Sequence, residues 1–285
     1  MHRLTNKRFG RSAFALLLAL ASALTSPGAS AEARDLDLIR ENGVIRFALY
    51  NDFPPYSANG KGIDYDIAEA LASRLGVRFA PMWFTASDES IEDDLRNMVW
   101  KGHYLGTGPA DALIHAPVDP ELIRRSPRVR FVAPYSRERL AVARDLKRIP
   151  RLDDLSELDG MPIGVENASL ASIVLLAERG GRLRDQVRHF KTPTAAIEAL
   201  RKGEVAAVMA QWGETQGLLG EADGYAVTPV PAIAGLGTRQ WVLGIAVPKA
   251  HDSLGDALEA AMTALVADGE LDRIFLRHGV TRLKP

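Results

Sequence analysis

The chain contains no cysteine. Disulfides, thiol nucleophiles and cysteine metal sites are therefore excluded, and a lipid-modified amino-terminal cysteine is not expected. One-sided charge is missing too: 35 basic side chains face 36 acidic ones, a balance that does not favour nucleic acid as a partner. Past residue 31 no apolar run is long enough to span a bilayer, and no internal repeat or low-complexity stretch occurs. The glycine-rich segment from Lys101 to Gly108 is not followed by the Lys-Ser/Thr pair of a phosphate-cradling loop. No second histidine stands at metal-ligand spacing from His115, so neither a metal, a cofactor nor a catalytic residue is expected.

What is present begins with an export signal. Arg3, Lys7, Arg8 and Arg11 give a basic start, Ala13 to Leu24 an apolar run, and Ala29-Ser30-Ala31 a small-residue cleavage site. Residues 1–31 are expected to be removed, leaving a mature chain that begins at Glu32 and is free in the periplasm. Cleavage removes four basic and no acidic side chains, leaving 31 basic against 36 acidic, a net charge of −5. The remaining length suffices for two lobes of about 100 to 150 residues, each with its own core.

Short apolar runs alternate with amphipathic helical patterns, which predicts α/β lobes with largely parallel sheets. Ile67, Ala68, Leu71, Ala72 and Leu75 share a helical face, with Asp64 expected to cap its start and Gly76 to end it. Ser87 is expected to cap the next helix. The acids Asp88, Glu89, Glu92, Asp93 and Asp94 then fall near a helix start, where the dipole favours them without a metal. Strands are expected at Ala110–Ala116, at Leu140–Ala143, from Ile163 to Val165, from Val205 to Met209 and at Trp241–Val247. Thr192-Pro193 and Asp252-Ser253 open helices.

The most informative stretch is Gly43 to Gly76: an apolar strand, then Asp52-Phe-Pro-Pro-Tyr56, then a helix. It places an aromatic loop at a strand's carboxyl end, where ligands bind in open α/β sheets. This layout resembles the opening of the periplasmic solute-binding proteins of family 3, the polar amino-acid type, and the similarity extends over nearly the whole mature chain. The resemblance implies a two-lobe, type II periplasmic binding fold with two crossing strands. Lobe one is expected at 32–139 plus 240–285 and lobe two at 140–239. A monomer that closes on a small solute and is read by an ABC transporter permease follows from the same resemblance.

The resemblance also marks site residues. Asp111-Ala112 matches the pair that opens a strand in the family, and Arg125, Val129, Phe131, Pro134 and Tyr135 stand at the family's later offsets. Arg125 is thereby the implied fork onto a ligand carboxylate, a role that suits a planar guanidinium; a shifted register would give it to Arg124. His115 falls where the family places a hydroxyl, either as a donor to the ligand or as a satisfied edge histidine. Tyr50, Phe53 and Tyr56 are expected to offer stacking surface, with Glu166, Ser169 and Gln211 on the opposite wall. Ser169 equally suits a helix cap. Gln211 stands where the family has an aspartate for the ligand's ammonium, so ordinary α-amino acids are expected to bind poorly unless Glu166 or Glu214 takes over.

The expected ligand is accordingly a small anionic, carboxylate-bearing solute. Two alternatives remain open at this stage. One is an accessory of a periplasmic quinoprotein (PQQ-dependent) alcohol dehydrogenase, the branch that a lengthened Lys101–Gly108 turn would suit. The other is a dehydratase-like enzyme using the same cleft, with His115 and Glu166 as its acid and base.

Overall fold

The computed structural model describes residues 34–86, 90–231 and 240–285. The expected export signal and its cleavage site lie outside the described residues, as does Ser87 with its neighbours Asp88 and Glu89. Within them the chain runs α1 (Leu36–Asn42), β1 (Val44–Tyr50), a small hairpin β2 (Asp52–Phe53) and β3 (Ser57–Ala58), α2 (Ile63–Leu75), β4 (Arg78–Phe84), α3 (Ile91–Leu95), β5 (Ala112–Val118) and α4 (Pro120–Arg125). A long strand β6 (Val129–Asp145) leads to β7 (Ile163–Glu166), α5 (Leu170–Ala177), β8 (Val187–Phe190), α6 (Pro193–Arg201), β9 (Ala207–Gln211), α7 (Trp212–Leu219) and β10 (Tyr225–Pro229). The chain returns through β11 (Gln240–Pro248) and closes with α8 (Asp252–Ala267) and α9 (Glu270–Arg277). No helix among the described residues is long and apolar enough to cross a membrane.

The strands lie in the order β4-β1-β5-β11-β6-β9-β7-β8, with β10 also on β6. β1 is parallel to β4 and β5, whereas β11 is antiparallel to both β5 and β6. β6 changes partner along its length: Val129–Arg139 pairs with β11, and Leu140–Arg144 with β9. Two lobes therefore share this strand. In the first lobe Phe47, Leu49, Ile67, Leu71, Leu258 and Phe275 pack into one buried cluster, and in the second Val142, Ile163, Val165, Leu175 and Met209 pack into another, with a further cluster on the opposite face of the sheet in each.

Several local expectations shift. Leu140–Ala143 is only the far part of a strand that starts at Val129, because Pro134 and the charged Arg137-Glu138-Arg139 interrupt the apolar pattern without ending the ladder. β5 starts at Ala112, not Ala110, since the Ala110 N–H turns away to Met98 O. Asp64 does not cap α2. Gly62 holds that position with φ +129°, where a Cβ would come within 2.2 Å of Tyr56 O. Ser90 caps α3, its Oγ accepting from Asp93 N at 3.2 Å. The helix then continues as a π-type turn, Arg96–Trp100. Thr192 and Pro193 open α6 as expected, the Thr192 Oγ1 accepting from Ala195 N.

Candidate functional site

Two adjoining cavities, of about 300 and about 560 Å³, lie where the ends of β1 and β5 face the ends of β7 and β9. Pro117, Glu166, Gln211 and Trp241 border both, which makes them one cleft between the lobes.

Bulges in the sheet shape the first wall. Between Leu113 and Ala116 β5 carries one residue more than β11 carries between Ala246 and Gly244, and His115 takes up the difference at φ +64°. On β6 the three residues Ala133 to Tyr135 stand where β11 has only Gly244, an excess of two, and Ala133 sits at φ +51°. A positive φ on a residue with a Cβ costs about 1–3 kcal/mol and persists where neighbours hold it, and bulges re-aim side chains. Here both aim at Asp64. His115 Nδ1 lies 3.0 Å from that buried carboxylate, and the Tyr135 hydroxyl donates to it at 3.2 Å. The imidazole packs edge-on against Phe53 and Tyr56, at 4.9 and 4.3 Å between ring centres. Tyr50 stacks at a tilt on Phe84 and donates its hydroxyl to Asp94 at 3.1 Å.

Behind this wall, at the hinge, Tyr56 is fully buried and donates its hydroxyl to Glu138 on β6. Glu138 also accepts the Gly213 N–H from α7 at 3.4 Å. Burial pushes the Glu138 carboxyl up to about 7, against the opposing Tyr56 hydrogen bond. Glu214, next on α7, borders the cleft. Its carboxyl accepts the Gln211 N–H at 3.1 Å. Burial lifts it to about 8 despite that bond, with Glu166 and Glu138 adding to the rise. At Gly213 a Cβ would sit 2.0 Å from Tyr56 Oη. Gly213→Ala should therefore lower stability by about 1–3 kcal/mol, or about 2–4 °C in Tm per kcal/mol. An unchanged melting curve would mean that Tyr56 does not occupy this place.

Of the residues marked from sequence, Tyr50, Phe53, His115, Glu166, Ser169 and Gln211 border the cleft. Ser169 spends its hydroxyl as the cap of α5, accepting from Ser172 N at 3.1 Å and donating to Glu166 O at 2.8 Å. Two residues fall elsewhere. Tyr56 is walled in at the hinge and offers no stacking face. Arg125 ends α4 on the surface, half exposed, with Nη1 2.9 Å from Glu92 Oε1 and Nε 3.8 Å from Glu121. Arg124 is more exposed still and pairs with Glu121. Among the described residues no lysine or arginine lines either cavity. In sequence Asp64 reads as a helix cap and Asp94 as one of a run of acids near a helix start, and Glu138 carries no signal until the crossing strand β6 brings it to Tyr56 and Gly213. Trp241 read simply as the start of a strand, and Asp52 as part of a turn.

The family model for bacterial extracellular solute-binding proteins, family 3, matches residues 45–281. The chain belongs to that family. Among curated protein sequences none matches it. Among solved structures it is similar to an ancestral cationic amino acid solute-binding protein, at TM-score 0.68 and 19% identity, over 86% of this chain and 99% of that one. It is also similar to an amino acid ABC transporter substrate-binding protein from Streptococcus pneumoniae bound to L-arginine, at TM-score 0.61 and 18% identity, over 87% and 99%. A solute receptor for L-cysteine from Neisseria gonorrhoeae follows at 0.57 and 21%, over 86% and 93%. At these identities the likeness establishes the two-lobe fold, and the ligand has to be argued from the site.

Proposed function

We propose that this family 3 protein is a periplasmic solute receptor, exported by its residues 1–31, that closes lobes 32–139 plus 240–285 and 140–239 over one small molecule and presents it to an ABC transporter. One observation carries this: Tyr50, Phe53 and His115 of the first lobe and Glu166 and Gln211 of the second border the same cavity. A ligand touching both walls favours the closed form by whatever it gains over touching one.

Ordinary α-amino acids are expected to bind poorly. The carboxylate would find no guanidinium among the described lining residues, since Arg125 is engaged by Glu92 outside the cleft. The ammonium would meet Gln211 where a carboxylate would serve it better. A solute at about a hundred times its Kd adds about 2.7 kcal/mol of stability, so a bound amino acid at millimolar concentration would raise Tm by at least about 5 °C. A panel of the twenty should give shifts under about 2 °C. A clear shift with any of them would contradict this expectation. Arg125→Ala should leave the affinity of whichever solute binds unchanged, and a marked loss would put that side chain back in the cleft.

Native mass spectrometry of protein taken from its own periplasm, followed by small-angle scattering with the molecule found, tests the receptor role. The radius of gyration should fall on binding. An enzymatic role has one specific observation in its favour, the Asp64-oriented His115 sharing a cavity with Glu166. Conversion of the bound molecule by purified protein would establish it in place of the receptor.

A further inference from the structure

Carboxylates stand on both sides of the cleft. Asp52, at the carboxyl end of β1 and in the hairpin, and Glu166, at the end of β7, border the same cavity from opposite lobes. Burial and the Asp52 charge both push the Glu166 carboxyl upward, so the two groups feel each other across the opening. Among the described residues the wall supplies no compensating Lys or Arg, and His115 is matched by Asp64. Closing two like-charged walls without a positive charge between them is unfavourable. Tyr50, Phe53 and Trp241 supply ring surface in the same space, and aromatic faces attract cations.

We propose that the cleft takes a small organic cation without a carboxylate, an ammonium or amidinium on an apolar body, held between Asp52 and Glu166 and against Tyr50, Phe53 and Trp241. This ligand class rests on the receptor role proposed above. The cation would turn the repulsion between the lobes into a bridge, so closure would depend on the ligand's charge as well as its shape. A carboxylate on the same molecule would meet Asp52 and Glu166, with neither Lys nor Arg among the described lining residues.

The test compares matched pairs that differ by that carboxylate: tyramine with L-tyrosine, phenethylamine with L-phenylalanine and agmatine with L-arginine, with choline as a fixed cation and succinate as a dianion. Calorimetry on the mature protein should show at least one amine binding about tenfold or more tighter than its amino acid, and no heat with succinate. Asp52→Asn and Glu166→Gln should each weaken that amine about tenfold. Rescue by Glu166→Asp, but not by Gln, would separate charge from packing. The proposal is overturned if the amino acids bind as well as their amines, if succinate binds, or if none of the four cations binds at millimolar concentration. Small-angle scattering on the same samples keeps the two ideas apart. Closure on succinate or an amino acid would sink the cation and spare the receptor, whereas conversion of a bound amine would spare the cation and sink the receptor.

Discussion

The melting temperature should fall as the pH is raised from about 5 to about 8.5, by on the order of 10 °C. Glu138 and Glu214 are the cause. Both are buried at the hinge, and their carboxyls are held up at about 7 and about 8, against 4.5 in the unfolded chain. Between those values the folded protein keeps protons that the unfolded chain has released, so the unfolded state binds fewer and stability declines with pH. Each group costs about 1.4 kcal/mol per pH unit while it remains in that window. The decline should ease near pH 7, where Glu138 has ionised, and stop near pH 8. Glu214→Gln keeps an acceptor for the Gln211 N–H and cannot ionise, so it should remove the slope between about pH 7 and 8 and raise Tm at alkaline pH. Asp111 and Asp272, whose carboxyls are held below their ordinary values, act in the opposite sense at the acid end, outside this window. A Tm that stays level or rises from pH 5 to 8.5 would mean that the two hinge carboxyls are hydrated and ordinary. Scanning fluorimetry across the range, on both proteins, decides it.

The sequence made the helices and the approximate places of the strands legible because their signals are local. Thr192-Pro193, Ser169 and Gly76 do in the structure what cap chemistry says they should. Cleft residues were legible where they end a strand, as Tyr50, Glu166 and Gln211 do. Hidden features were those set by a neighbour far away in the chain. The bulges that turn His115 and Tyr135 onto Asp64 arise from the unequal register between β11 and its two neighbours. Arg125 misled for a related reason. Its offset from Tyr135 matches the family, but α4 carries it to the helix end, where Glu92 and Glu121 compete for it. Spacing locates a residue along the chain, whereas the direction of its side chain depends on the turn of helix it occupies.

Asp111→Ala should cost about 3–5 kcal/mol, or on the order of 10 °C in Tm. The Asp111 side chain has no exposure, and it holds two guanidinium groups: Arg34 Nη2 at 2.7 Å and Arg46 Nη2 at 2.9 Å, both largely buried. It also accepts the Arg46 backbone N–H at 2.7 Å, which ties the start of β5 to β1. Burial alone would raise its pKa, but the bonds from Arg34 and Arg46 outweigh that and hold it below the ordinary value. Removing the carboxylate takes away the charge that Arg34 and Arg46 share, and breaking such a buried cluster costs more than forming it gains. Asp111→Asn should be intermediate, since it preserves an acceptor and loses the charge. The wild-type contribution is present above the unfolded carboxyl value and is lost as pH falls through the lower folded one, so both variants should flatten the acid limb of the stability profile below about pH 4. Neither should alter ligand-induced closure at a temperature where it is folded, because Asp111 does not border the cleft. A variant that melts within about 2 °C of the wild type would show that Arg34 and Arg46 find other partners or water at no cost. One that folds normally but no longer closes would show that the β5 register, four residues ahead of His115, is set here after all.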